Sequence, residues 1–364
     1  MKELTSRQAG IMLFISNCAL KLLVLPSLII GKTQNAVWLV FLIMFLIDGL
    51  FLWVLVSILK YNPNLTFKQF FEKTCGKVIS KIIIFSISLL CLIKVSMLIR
   101  ECFEFYSETS YVDLKWFPFL VPIILLICYV AIKNYRTLGR ASEILIYFIG
   151  FAIVIGIASS IGNIDITSAL PMLPNGVRPI FSACFDYAFW FGDFILLYFY
   201  MGNIKINKST TKTIFLYWLV SCVVIVVIAF IHFALFGSLS TMFKTSIVDI
   251  TEYIPRLDTS GRFTWVIIFL WPLASIFTMC MYTNFASKGM QMCFNITHTN
   301  KRFVVYYAVA VSFAILLMTV FSEIYFLDFI TNYLKYFVFV VQYLIAFLVP
   351  ILMLRLFKKE KQNA

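Results

Sequence analysis

The sequence predicts an all-α integral membrane protein with ten transmembrane helices, arranged as two five-helix halves of opposite orientation. Three observations lead to this fold class. The chain is 62% hydrophobic and 13% charged, its apolar residues are gathered into long runs, and its basic residues cluster in alternate connections between those runs. We expect one transmembrane domain over residues 1–364, with inverted halves at about 1–162 and 175–357.

Ten runs of about 20 apolar residues are long enough to cross about 30 Å of hydrocarbon as helices. They lie at residues 8–30, 36–59, 78–106, 117–133, 140–162, 180–202, 213–236, 263–287, 303–321 and 333–356. The connections between them are short, which leaves no room for a separate soluble domain.

Basic residues are distributed unevenly between the two sides of the predicted bundle. Of the 30 lysines and arginines, twenty fall on the side that holds the N-terminus. The other side carries six, Lys32, Lys115, Arg178, Lys244, Arg256 and Arg262. The positive-inside rule then places both termini in the cytoplasm. The net charge of +13 is therefore a topology signal, and no interleaved basic and aromatic patch indicates nucleic-acid binding.

The cysteines and histidines do not indicate a metal or redox site. The nine cysteines include no Cys-x-x-Cys pair, and the chain has two histidines. No motif for a nucleophile, a metal or a nucleotide occurs. We therefore expect no cofactor, no metal and no enzymatic activity.

The first span of each predicted half is interrupted at mid-depth. Residues 17–26 read NCALKLLVLP, and residues 187–195 read YAFWFGDFI, with a glycine next to an acid. Paired interruptions in inverted halves point to a transporter binding site at the bilayer midplane. We expect Pro26 to end the first half-helix of span one, because proline lacks a backbone donor.

Four ionisable residues, Lys21, Asp48, Lys94 and Asp193, lie too deep in their spans to reach the membrane surface. A charge at the bilayer centre costs about 2.5–3.5 kcal/mol on insertion scales, so each must be paired or face a hydrated cavity. Two interpretations stay open. One is a structural pair, such as Lys94 with Asp48, that only holds helices together. The other is a binding cavity in which Lys21 meets Asp193 or the carboxylate of a ligand.

Span three places Lys94, Met97, Leu98 and Glu101 on one helix face, which we expect to line the cavity. In span eight, Trp271–Pro272 predicts a kink, and small hydroxyl side chains follow it that either pack helices or bind a ligand. The predicted substrate-binding residues are Asn17, Ala19, Leu20, Lys21, Lys94, Met97, Leu98, Phe189, Gly192, Asp193, Ser275, Thr278 and Met279.

Other charges are expected to have structural or gating roles. These residues are Asp48, Arg100, Glu101, Arg256 and Asp258. Arg100 and Glu101 form either an outer gate or a plain structural pair. Three further charges lie near enough to an interface to extend toward water, namely Glu104, Asp186 and Lys335.

Two connections have features of their own. Leu65, Phe67, Phe70 and Phe71 alternate with charged residues, which predicts a short amphipathic helix lying on the inner membrane face. The longest outer loop, residues 237–262, is polar and long enough to form a lid or a docking surface.

Seven stretches, in order along the chain, resemble the spore-germination permeases, the B subunits of GerA-type germinant receptors. They read LTSRQAGIMLF, LVLPSLIIGKTQNAVWLV, YNPNLTFKQFFEKTCGKVISKII, IRECFEF, LGRASEIL, LPNGVRPIF and RLDTSGRFTW. The last is the most specific, with Arg256, Asp258 and Trp265 at the spacing seen before span eight of that family.

The resemblance implies the fold of the amino acid–polyamine–organocation transporters, which is the LeuT-like fold with broken helices one and six. It also implies a small-nutrient pocket, a membrane-bound A subunit, a C-subunit lipoprotein and a location among the lipids of the spore inner membrane. Two functions remain open. The chain is either a receptor subunit that binds an amino acid or similar nutrient and signals germination, or a secondary amino-acid permease.

The loop motif also predicts a local ion pair between Arg256 and Asp258 that positions the start of span eight or a partner surface. Exchanging the two charges, Arg256→Asp with Asp258→Arg, is expected to restore more assembly or germination than either single change. A double variant as impaired as the worse single variant would disprove the pairing.

Overall fold

The architecture is that of a helical bundle whose two breaks lie in the middle of the molecule. The computed structural model describes residues 4–61, 65–109, 115–162, 175–204, 207–252, 260–296, 327–345 and 348–353, with the single positions 164, 167 and 173. Within these ranges every regular secondary-structure element is a helix, and one isolated β-bridge joins Leu4 to Ile204.

The first half of the chain forms six helices. They are α1 (Ser6–Lys21), α2 (Leu25–Thr33), α3 (Val37–Tyr61), α4 (Phe67–Thr109), α5 (Trp116–Ala131) and α6 (Tyr135–Ser160). Thr5 begins α1 as an N-cap, because its hydroxyl accepts from the Gln8 amide at 3.2 Å while the Gln8 side chain accepts from the Thr5 amide at 3.1 Å. Helix α3, at 25 residues, spans about 37 Å and can cross a bilayer unaided.

The second half repeats the pattern of a broken helix followed by long ones. It contains α7 (Arg178–Asp186), α8 (Leu196–Tyr200), α9 (Lys208–Phe236), α10 (Ser246–Glu252), α11 (Ser260–Phe294) and a C-terminal span (Phe329–Met353) that includes π-helical turns.

Successive long helices run in opposite directions between two ends of the bundle. One end, the Leu4 face, is marked by Leu4, whose amide donates to Asn203 at 3.1 Å, and by Lys68, which donates to Asn295 at 2.5 Å. The other end, the Lys32 face, is marked by Lys32, which donates to Asp186 at 2.6 Å. Helices that begin at one face end at the other, as expected for a multi-pass membrane protein.

Six helices among the described residues are long and apolar enough to cross a membrane, and the bent pair Arg178–Asp186 with Ala188–Tyr200 provides a seventh. The shorter apolar helix Pro118–Val130 falls on predicted span four. Predicted span nine, residues 303–321, lies outside the described residues. The membrane-protein class is therefore confirmed, while ten spans and a five-plus-five division stay predictions.

Span one is broken where the sequence predicted it, but Pro26 has a different role. Helix α1 ends at Lys21, and α2 begins at Leu25 with Pro26 in its first turn. Proline is favourable there, because the first amides of a helix have no intrahelical partner. The prediction that Pro26 ends the first half-helix was therefore wrong: this proline starts the second one.

Span six is broken over a longer stretch. Helix α7 ends at Asp186, a 3₁₀ turn covers Ala188–Trp190, and a second one covers Asp193–Ile195. Between them Gly192 has a φ of 79°, which side chains with a Cβ rarely adopt. The two half-helices meet at 53°. Their break exposes backbone groups that other residues must satisfy.

The predicted amphipathic helix is present and its aromatic side packs against the protein, while its place on the inner membrane face stays a prediction. Residues 67–75 form the first arm of α4, which a non-helical Gly76 (φ 81°) separates from the long helix. The rings of Phe67 and Phe71 are buried, with Phe67 4.9 Å from Phe199 and Phe71 5.1 Å from Tyr198 between centroids. The arm therefore covers the end of span six with its aromatic side.

The long outer loop is partly described. It contains the 3₁₀ turn Gly237–Thr241 and helix α10, whose backbone at Ser246 donates to Leu23 at 3.0 Å in the span-one break. Arg256 and Asp258, with their predicted ion pair, lie outside the described residues.

The orientation predicted from the basic residues can be tested with two exposed positions on opposite faces. In a cysteine-free variant, Met242→Cys (77% exposed, Lys32 face) is expected to react with a membrane-impermeant maleimide from outside the cell. Lys77→Cys on the Leu4 side is expected to react only after permeabilisation. The reverse pattern would place the termini outside.

Candidate functional site

The carboxylate of Asp193 is the centre of a buried polar cluster in the middle of the bundle. One oxygen accepts from the Lys21 ammonium of α1. The other accepts from the Tyr282 hydroxyl of α11 at 2.5 Å and from the Lys94 ammonium of α4 at 3.4 Å. Asp193 directly follows Gly192 in the span-six break. The break therefore places this carboxylate within hydrogen-bonding distance of α1, α4 and α11.

Lys21 is the last residue of α1 and has no exposed surface. Besides Asp193, its ammonium donates to the Asn17 side chain at 2.8 Å, one turn earlier on the same helix. Asn17 in turn donates to the Ser221 hydroxyl of α9 at 3.0 Å. The Lys21 nitrogen also lies 5.4 Å from the centre of the Phe191 ring, within range of a cation–π contact.

Lys94 bonds to the broken backbone as well as to Asp193. Its ammonium donates to the Phe191 carbonyl at 2.7 Å and lies 5.9 Å from the centre of the Phe189 ring. The sequence left open a structural pair of Lys94 with Asp48, but among the described contacts Lys94 bonds to Asp193 and to the Phe191 carbonyl instead. The described contacts of Lys94 lie in the span-six break because the unwound backbone brings a carbonyl and a carboxylate to it.

Asp48 serves the same break from the opposite side. Its carboxylate accepts from the Gly192 amide at 2.9 Å and from the Tyr343 hydroxyl at 3.4 Å. The side chain of Gln342 donates to the carbonyls of Ala188 at 3.1 Å and Phe191 at 2.6 Å. Backbone groups freed by the break are thus satisfied by side chains of α3, α4 and the C-terminal span.

The cluster combines two ammonium groups, two carboxylates and open backbone in a space closed to water. Lys21 is 0% exposed, and Lys94 and Asp193 are each 2% exposed. This set of groups matches both ends of a zwitterion, since ammonium groups bind a carboxylate and a carboxylate with backbone carbonyls binds an ammonium group. Within the described ranges, no group of three or more His, Cys, Asp or Glu side chains is placed to hold a metal ion.

The structure brings together only some of the predicted binding residues. Asn17, Lys21, Lys94, Phe189, Gly192 and Asp193 all join the cluster through the contacts above. The others are buried nearby on the same helices, without a described contact to the ionic groups: Ala19, Leu20, Met97, Leu98, Ser275, Thr278 and Met279. The Thr278 hydroxyl donates within α11 to Ala274 at 2.8 Å, one turn before Tyr282. Ligand contacts for this second group stay predictions.

The predicted pairing of Arg100 with Glu101 was wrong. Arg100 donates to Glu104 at 2.7 Å, one turn further along α4, whereas Glu101 accepts from the Trp190 indole at 3.2 Å. Neighbouring residues on a helix point about 100° apart, whereas residues four apart share a face. Glu101 therefore fastens the span-six break to α4.

A second ionic cluster lies at the Lys32 face. Asp186, the last residue of α7, accepts from Lys32 of α2 at 2.6 Å and from Lys335 of the C-terminal span at 2.6 Å. Asp186 and Lys335 were expected to extend toward water, but each is partly covered by its partner. The cluster connects α2 and α7, one half-helix from each broken span, with the C-terminal span.

Sequence reasoning missed three central residues, Tyr282, Gln342 and Tyr343. Tyr282 lies four residues after Thr278, on the helix face that was already predicted to be of interest. Gln342 is a buried amide in the apolar stretch FVFVVQYLIAF. A search for uncharged polar side chains at mid-span, alongside charged ones, would have identified both helices.

Comparisons with known proteins agree with this architecture. The model of a family described as spore germination protein matches residues 3–324 of the 364. Among solved structures, the crystal structure of MhsT in complex with L-phenylalanine matches with a TM-score of 0.66 and 11% sequence identity, over 94% of this chain and 87% of that chain. At this identity the likeness shows a shared fold. No sequence among the curated proteins matches significantly.

A glycine at position 192 is required by both backbone and packing. A Cβ there would lie 1.8 Å from Nε2 of Gln342, and the φ of 79° disfavours any side chain. Gly192→Ala is expected to prevent correct folding, measured as loss of the monodisperse protein after detergent extraction. The control is Gly150→Ala in α6, where a Cβ meets nothing within 4 Å and yield should be unchanged. Normal yield and stability for Gly192→Ala would contradict this packing.

Proposed function

Because the chain belongs to the spore germination protein family, we propose that it is the membrane subunit of a spore nutrient-germinant receptor and binds an amino acid or similar small zwitterion. The chain is a multi-pass membrane protein with a transporter-like fold. The observation that carries the proposal is the convergence of Lys21 and Lys94 on Asp193 at the breaks of two helices.

Ligand binding at this cluster exchanges one set of ionic partners for another. A ligand carboxylate replaces Asp193 at one or both ammonium groups, and the ligand ammonium takes the released Asp193 and the freed carbonyls of the break. Each buried charge keeps a partner throughout, which avoids the cost of several kcal/mol for an unpaired ion in a low-dielectric interior.

The signal follows from the same exchange. Asp193, Lys21 and Lys94 belong to three different elements, so a ligand that separates them favours a different arrangement of the broken helices. A ligand shifts a conformational equilibrium only by its difference in affinity for the two states. We propose that an A subunit and a C-subunit lipoprotein detect this shift in the spore inner membrane, with both termini in the cytoplasm and the Lys32 face outside.

A secondary amino-acid permease is the second candidate, and the fold shared with MhsT favours it. A sensor and a carrier can use the same site and the same two-state scaffold. Counterflow distinguishes them: purified protein in liposomes preloaded with unlabelled amino acids would accumulate a radiolabelled amino acid mixture if it transports. A pure receptor subunit would bind the mixture without exchange.

Lys21→Met is expected to abolish amino acid binding at the central cluster, and with it the germination response, while the protein remains inserted and folded. Asp193 retains Lys94 and Tyr282 after this change, so the stability loss should be below the 3–5 kcal/mol typical of an orphaned buried charge. Binding of the radiolabelled mixture and thermal unfolding would be measured together.

The double variant Lys21→Met with Asp193→Asn separates a structural role from a binding role. It removes both charges of the pair, so stability should return toward the wild type while binding at the central cluster stays lost. Lys21→Met protein that binds with unchanged concentration dependence would refute the site and leave Lys21 with a structural role.

A further inference from the structure

A cavity of about 390 Å³ lies at the Lys32 face, outside the central cluster. We call it the Lys32 cavity. Its walls come from α2, from the residue that follows α7, and from the start of the C-terminal span. Lys32, Tyr187 and Asp328 are among its lining residues. The volume falls within the range of about 300–1,000 Å³ that is usual for small-molecule sites.

Charges of both signs line this cavity, Lys32 from α2 and Asp328 from the beginning of the C-terminal span. Lys32 and Lys335 share the single carboxylate of Asp186, so that group of three carries a formal charge of +1. Of the two lysines, Lys32 is the accessible one, because its side chain is 40% exposed whereas that of Lys335 is 16% exposed. Asp328, which is exposed, supplies a negative charge to the cavity lining.

The rest of the lining combines apolar and aromatic groups with the polar side chains of Thr331 and Asn332. Leu28 and Leu327 line the cavity, and the Lys32 nitrogen lies 5.2 Å from the centre of the Tyr187 ring. The Tyr187 hydroxyl donates to the Leu28 carbonyl at 3.0 Å, which holds the ring against α2. An ammonium, a carboxylate and an apolar wall together complement a free amino acid.

We propose that the Lys32 cavity is a second binding site for a zwitterionic amino acid. The ligand carboxylate binds Lys32, its ammonium binds Asp328, and its side chain packs against Tyr187 and the two leucines. This inference rests on the proposed function for its ligand class and adds a site that is reached before the closed central cluster.

Occupancy of this site bears directly on the span-six break. A ligand carboxylate at Lys32 competes with Asp186, and Asp186 immediately precedes Tyr187, the first residue of the break. Asp193 lies seven residues further on, at the other end of the same unwound stretch. Binding in the Lys32 cavity therefore loosens the attachment of α7 to α2 at one end of the segment that delivers Asp193.

Equilibrium binding to the full-length protein in lipid nanodiscs tests the proposal, with a radiolabelled mixture of the protein amino acids as the probe. The wild type is expected to bind two molecules per chain, and Lys21→Met one. Asp328→Asn and, separately, Lys32→Met are expected to weaken one of the two sites about tenfold or more, because each removes a charged hydrogen-bonding partner. Asp328 is exposed, so its substitution leaves the folded core intact.

Two further arms sharpen the experiment. Glu252→Gln removes an exposed carboxylate of α10 that does not line the cavity, and it should bind like the wild type. In the Lys21→Met background, the remaining site should reject N-acetylated amino acids, which lack the ammonium. It should also reject amino acid amides, which lack the carboxylate.

The outcomes separate this inference from the proposed function. A single site that Lys21→Met removes and Asp328→Asn leaves unchanged would overturn the Lys32 cavity as a binding site while supporting the central one. A single site with the reverse behaviour would support the Lys32 cavity and overturn the central site. Absence of any saturable binding would overturn both.

Discussion

Burial of the Asp193 carboxylate is the constraint on which the arrangement of the broken helices depends. An ionised carboxylate cannot remain in a water-free interior without partners, because its desolvation costs several kcal/mol even after relaxation. Here the partners come from α1, α4 and α11, through Lys21, Lys94 and Tyr282. The span-six break can therefore move only if these bonds are exchanged for others.

Backbone polar groups impose a parallel requirement. Within hydrocarbon, non-helical backbone is tolerated only where other groups satisfy it. The amide of Gly192 donates to Asp48, and the carbonyls of Ala188 and Phe191 accept from Gln342. The same contacts hold α3 and the C-terminal span against the break, so satisfying the backbone and positioning the helices are one task.

Two ionic clusters flank the unwound part of span six. Asp186 at its start is held by Lys32 and Lys335, and Asp193 near its end is held by Lys21 and Lys94. The Asp186 cluster joins the two broken spans to the C-terminal span, and the Asp193 cluster joins them to α4. Under the proposals above, an amino acid that competes at either cluster would change how the half-helices are held, which is the property that both a receptor and a carrier require.

The sequence by itself determined the membrane class, the sites of both breaks and the importance of Lys21 and Asp193. These properties follow from position along one chain. The length of an apolar run shows whether it can cross the membrane, and the position of a charge or glycine within the run gives its depth in the membrane. Family membership also followed from short stretches of sequence and was confirmed by the family model over residues 3–324. Asp193 was one of the two partners predicted for Lys21, beside a ligand carboxylate, because each of these residues lies at a break predicted at mid-depth.

Only the tertiary structure decided which groups are bonded to which. Lys94 was considered with Asp48 and Arg100 with Glu101, yet Lys94 bonds to Asp193 and Arg100 to Glu104. Asp186 meets Lys335 across 149 positions of sequence, and Gln342 meets Phe191 across 151. Depth in a membrane follows from sequence position, but a bond also requires two helices to be neighbours and their side chains to face each other. Those rotations and neighbours are set by the packing of the whole bundle.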